Sequence, residues 1–194
     1  SCDKRIVDVT RNRYLTSLDI AKNIGAKYVI FHSQINPWLK DPISRKWRNK
    51  RNRAFFREIL EEIDIGSMVI LIENIFDNDP RQLDELVNSI DLPQIKICLD
   101  IGHAILADNT KLSEWIEVLK DRIEYIHFHW NGRIHDDHNP PADEDFILLN
   151  NLLNKFNISP IIALEYEVSD LHSEKARAQK LIKKQPFIHI PNIR

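Results

Sequence analysis

At 194 residues, 43% of them hydrophobic, the chain has the size and apolar content of a globular protein with a sizeable core. Its formal net charge of −2 excludes a global basic field of the kind that gathers nucleic acid or anionic membrane. No stretch approaches the ~20 apolar residues of a membrane span, residues 1–25 lack a signal-peptide hydrophobic core, and Cys2 and Cys98 lie far apart, so a reduced cytoplasmic protein is expected.

A two-part unit recurs along the chain. Tyr14 to Ile24 has helical spacing and Gly25 ends it; YVIFH (28–32) follows as a short apolar run. Trp47 to Ile63 is again helical, with Gly66 before MVILIE (68–73). Pro80 to Ile90, opened by Pro80, leads to IKICLD (95–100), and Leu112 to Leu119, with Ser113 near its start, leads to IEYIHFH (123–129). Asp145 to Phe156 precedes IIALE (161–165), and Leu171 to Ile182 closes the series. The runs are rich in β-branched and aromatic residues and lack alternation, which predicts strands buried on both faces of a parallel sheet. Strand and helix alternating at this interval leave two architectures open, a doubly wound sheet or a (β/α)₈ barrel. No linker or low-complexity segment interrupts the pattern, so residues 1–194 are expected to form one domain.

The strand ends carry the chemistry. They finish in His32, Glu73, Asp100, His127 with His129, and Glu165. The carboxyl ends of strands are where α/β folds place their sites. Counting back in twos gives Ile30, Leu71, Cys98, Tyr125 and Ala163, one inward face per strand. Carboxylates and histidines converging at one mouth suit a divalent transition metal such as zinc or manganese. In CLDIGHAI (98–105), Gly102 between Asp100 and His103 suggests a sharp turn that brings both side chains to one spot. The plainer reading makes Asp100 and Glu73 helix caps, and Gly102 with His103 weighs against it. His129 is either a ligand or a hydrogen-bonding neighbour of one. Asp136 and His138 lie in a polar loop, either solvated or forming a second metal site. His135, His172 and His189 are expected at the surface without a role.

YVIFHS, LIENI, CLDIGHA, IHFHWNG…DDH and IALEYE resemble the successive strand-end motifs of the xylose-isomerase-like TIM barrels, over about residues 3 to 184. That superfamily includes sugar phosphate isomerases and epimerases and the related apurinic/apyrimidinic endonucleases. The resemblance implies a metal held by Glu73, Asp100, His127 and Glu165, with zinc, manganese, magnesium or cobalt as the ion. It implies substrate contact by His103, with His32 and Trp130 also at the substrate side. Glu73 and Glu165 would move a proton through an enediolate of a small sugar or sugar phosphate. His32, Asp136 and His138 match additional ligands of the endonuclease branch, and His103 and His129 stand beside them as further candidates.

The resemblance also sets expectations about completeness. The five runs resemble strands four to eight, and the opening SCDKRIVDV resembles the loop past strand three, so about three βα units of a TIM-like α/β barrel are expected to be absent. Five parallel strands alone leave an open edge, so the chain is expected to be an N-terminally truncated piece, a naturally shortened member, or a barrel completed by another chain, such as a copy in a homo-oligomer. Trp130 stands where the family commonly has an acidic residue, and NPPADED (139–145) lacks the usual glycines. The run RKWRNKRNRAFFR (45–57) is either a phosphate- or nucleic-acid-binding patch or a solvated helix face with Phe55, Phe56 and Ile59 inward. Three readings follow. The one chosen is a metal-dependent sugar isomerase or epimerase; its rivals are an abasic-site phosphodiesterase and a non-catalytic relic.

Overall fold

A computed structural model describes residues 3–107, 110–182 and the backbone of 187–189. Six parallel strands lie in chain order in one open sheet: β1 (Tyr28–His32), β2 (Val69–Glu73), β3 (Ile95–Asp100), β4 (Ile123–Phe128), β5 (Ile161–Leu164) and β6 (Phe187–His189). Helices α1 (Lys4–Asn23), α2 (Pro42–Glu62), α3 (Pro80–Ile90), α4 (Ile101–Leu106), α5 (Leu112–Leu119), α6 (Asp143–Phe156) and α7 (Leu171–Leu181) connect and cover it. Consecutive parallel strands joined by helices make a partial TIM barrel, as the sequence predicts.

Local chemistry explains the element ends. Asp41 and Asp79 cap α2 and α3 by accepting backbone N–H bonds from Ser44 and Arg81, and Pro42 and Pro80 occupy the first helical positions. Gly25, at φ +70°, closes α1: its N–H bonds Lys22 O and that of Ala26 bonds Ala21 O.

Two apolar layers flank the sheet. On the helix side, Ile70, Ile72, Ile97, Leu99, Ile126, Phe128, Ile162 and Leu164 join the main core. On the other side, Leu71, Cys98, Tyr125 and Ala163 pack together, with Tyr28, Ile30, Val69 and Ile161 at the margin. That second layer is the inward face read from the alternation.

The strand ends are staggered. Glu73 pairs level with Cys98, Asp100 with His127, and His127 with Ala163. Polar ends therefore climb by a two-residue step between β2 and β3 and again toward Glu165, the stagger a barrel requires.

The structure departs from the sequence expectations at three places. The opening segment, matched to a loop, is helix from Lys4 onward. A short helix, α4, follows Asp100 in place of a bare turn. β6 is a strand beyond the five expected, and among the described residues β1 and β6 are the sheet edges. Three residues of the basic run tie α2 to α3 and its C-cap: Arg45 faces Glu85, Arg53 faces Asp91, and Arg48 donates to Gln82. Among the described residues no helix is long and apolar enough to cross a membrane. Cys98 is a buried free thiol, and burial pushes it up to about 12; Cys2 lies outside the described residues.

Candidate metal centre

The strand ends deliver Glu73, Asp100, His127 and Glu165 to one point, with one ligating atom of each within 4.8 Å of all the others. His127 Nδ1 lies 2.8 Å from Glu73 Oε1, 3.0 Å from Glu165 Oε2 and 3.8 Å from Asp100 Oδ2. Glu165 stands one residue past β5, and its N–H still bonds Phe128 O, so the strand direction carries it to the cluster. His32 Nε2 lies 3.6 Å from Glu73 Oε2 at the exposed margin.

Asp100 is fully buried and has two duties. Its Oδ1 accepts the His103 N–H at 2.7 Å, so it does cap α4, a role that Gly102 and His103 weigh against in the sequence. The same carboxylate faces His127 and His129. Asn74, within LIENI but given no role from the sequence, fixes its backbone: Asn74 Nδ2 donates to Asp100 O and Asp100 N–H donates to Asn74 Oδ1, both at 2.9 Å.

A second group lies against the first. His103, His129, Asp136 and His138 also bring ligating atoms within 4.8 Å of one another. His103 Nδ1 bonds Asn74 O at 2.9 Å and His138 Nδ1 bonds Glu165 O at 3.0 Å. Each ring thus turns its Nε2 toward Asp136 Oδ2, at 3.1 and 3.2 Å. A backbone carbonyl on Nδ1 fixes each ring's orientation, as hydrogen-bond partners of metal-binding histidines do, and here Nε2 faces Asp136.

The electrostatics suit cations in both places. Burial raises the Asp100 carboxyl, but the His129 hydrogen bond and the neighbouring imidazoles outweigh it and leave it lowered. Burial opposes protonation of His127, yet Cys98, Glu165 and Glu73 reverse this and raise it. Burial likewise opposes the charge on His103, but Asp136 and Asp100 lift it to about 9. Three carboxylates around the Nδ1 of one imidazole, with Glu165 Oε2 lacking a hydrogen bond, make a donor set that a divalent cation completes. The residues fit the group.

Other expected residues fall elsewhere. Trp130 joins neither cluster: its ring packs edge-on against Phe128 and its backbone bridges Asn139. His135 and His172 are exposed, and the side chain of His189 lies outside the described residues. A cavity of ≈ 490 Å³ adjoins His32 between α1 and α2, with Ser33, Arg48, Arg51 and Asn52 in its wall. Buried Asp77 accepts from Ser33 Oγ at 2.6 Å and from the Ile75 N–H at 3.0 Å, joining the loops after β1 and β2.

Known proteins share this arrangement of chain. A D-tagatose 3-epimerase-like protein superposes with TM-score 0.73 at 23% identity over 94% of this chain and 72% of that one. A protein from Thermus thermophilus, solved after soaking with ZnCl₂, gives 0.73 at 20% identity over 93% and 71%. An L-ribulose 3-epimerase gives 0.65 at 16% identity over 92% and 62%. At these identities the likeness is one of fold. No curated protein matches in sequence. The sequence profile of the xylose isomerase-like TIM barrels, however, matches residues 1–185, so the chain belongs to that family.

Proposed function

We propose that this protein is a divalent-metal-dependent isomerase or epimerase of a small sugar or sugar phosphate, acting as one cytoplasmic barrel domain. The observation that carries the reading is the convergence of Glu73, Asp100, His127 and Glu165 on one point. Glu73, Asp100, His127 and Glu165 would hold the ion, which would supply Lewis acidity to a carbonyl and its adjacent hydroxyl. Glu73 and Glu165 both reach His127 Nδ1. Two carboxylates from opposite sides of the mouth could take a proton from the hydroxyl-bearing carbon next to the carbonyl and return it, passing through an enediolate. His32 and His103 border the cluster, and in this reading they would contact the substrate. Support for a sugar substrate comes from the epimerase relatives of like fold, including a D-allulose 3-epimerase solved with D-allulose.

A second reading rests on the second cluster. His103, Asp136 and His138 around a further ion would resemble the multi-ion centre of the endonuclease branch, whose substrate is abasic DNA. One ligand cluster suffices for the isomerase reading and two are needed for the other. Elemental analysis of the purified protein tests the metal claim: zinc or manganese at one ion per chain or more, abolished by Asp100→Ala. Retention of stoichiometric metal in that variant would sink the assignment.

A further inference from the structure

We infer that His129 is a positioning residue for Asp100, and that Gly102 is a glycine in order to admit the His129 ring. The inference rests on the metal reading above. His129 is completely buried, two residues beyond His127 and one past the end of β4. Its Nε2 lies 3.1 Å from Asp100 Oδ1 and 3.3 Å from Oδ2, but 3.8 Å from Asp136 Oδ1. One ring nitrogen carries either a proton or a cation. At these distances the Nε2 proton goes to Asp100, so that nitrogen is a donor rather than a ligand, and only the unpartnered Nδ1 is left to meet a cation.

The ring is clamped on three sides. His138 stacks on it at 3.9 Å and 5°, and His103 meets it edge-on at 5.8 Å and 82°. Gly102 closes the third side, where a methyl group would overlap the imidazole. The Gly102 backbone is not left-handed, so the glycine serves this close approach rather than a turn. Asn131 holds the same segment by donating to Gly102 O at 2.8 Å.

The consequence falls on Asp100. The His103 N–H alone would leave its carboxylate free to turn about the cap. The second donor fixes the plane, with Oδ2 on the side of His127. Donors of this kind, one step from a ligand, typically change metal affinity about 10–100-fold when removed.

The test is zinc affinity, by competition with a chromophoric chelator, and zinc stoichiometry at saturation, on the full chain. His129→Leu and Gly102→Ala should each bind zinc about 10–100-fold more weakly while holding as many ions at saturation. His129→Gln, whose amide N–H reaches toward the same carboxylate, should stay within about threefold of wild type, below that range. Gly102→Ala should cost nothing further in a His129→Ala background, because the ring it collides with is gone; this pair keeps the test valid if one single variant folds poorly. Unchanged affinity in His129→Leu would overturn the inference, and so would loss of a whole ion from His129→Gln, which would make His129 a ligand. Wild-type protein that binds no zinc would instead overturn the metal reading, and this inference with it.

Discussion

Asp100→Asn separates the two duties of Asp100. Asparagine caps helices about as well as aspartate, so the bond from the His103 N–H should survive. What disappears is a buried negative charge that faces His127 and His129. Hydrogen bonds to charged groups contribute about 1.5–3 kcal/mol each. Relief of crowding with Glu73 and Glu165 opposes that loss. Metal-free Asp100→Asn should therefore lie within about 2 kcal/mol of wild type, or within about 8 °C in Tm for a chain of this size. Zinc should separate the two proteins. At free zinc 100-fold above Kd, wild type gains about 2.7 kcal/mol, a rise of about 5–11 °C. Asp100→Asn should gain almost nothing at the same zinc. The assay is thermal melting of chelator-treated protein with and without zinc. An equal zinc-dependent rise in both proteins would refute the placement of Asp100 among the ligands. Asp100→Ala removes the cap as well and should cost about 1 kcal/mol more without metal.

Glu165→Gln should keep more of its metal than Asp100→Asn, because Glu165 stands partly exposed at the mouth while Asp100 is fully buried against His127, yet slow proton exchange at the carbon beside a ketose carbonyl by about 10²–10⁴-fold; unchanged exchange would remove Glu165 from the acid–base role. pH acts with opposite sign on the metal-free and metal-bound proteins. His103 is raised from 6.5 to about 9, so its contribution to metal-free stability is full below pH 6.5 and lost as pH rises through about 9. Chelated protein should thus melt lower at pH 9 than at pH 6.5. Zinc must displace that proton, so zinc binding at His103, Asp136 and His138 should strengthen over the same range. A flat zinc affinity would argue against His103 as a ligand.

Much of this is legible in the sequence because burial imposes a period. Ile30, Leu71, Cys98, Tyr125 and Ala163 alternate with the outer core, and that parity alone places Glu73, Asp100, His127 and Glu165 on one face. Where burial is slight the signal fails. The first ten residues of α1 carry no buried side chain, Leu18 and Ala21 being the buried ones, so Lys4–Arg13 has no apolar stripe to read. α4 has six residues, too few for a helical period, and β6 has three. Gly102 misleads for a physical reason: a glycine marks a turn or a close approach, and only the position of His129 decides between them. The path of the loop bearing Asp136 and His138 leaves no periodic trace at all, and only the resemblance of its D-x-H hints that it returns to the mouth. Asn74 and Asn131, which pin the backbone at Asp100 and Gly102, look like ordinary loop asparagines in one dimension.

The central claim is that the metal cluster moves a proton on a sugar. It is tested most directly by incubating the zinc- or manganese-loaded protein in D₂O with a panel of ketoses and ketose phosphates, beside an abasic-site DNA duplex. The account predicts deuterium incorporation next to the carbonyl of at least one sugar, lost on chelation and in Glu165→Gln, with the duplex left intact. Incision of the abasic duplex without exchange into any sugar, falling steeply with salt and sensitive to changes at His32, Asp136 and His138, would contradict it.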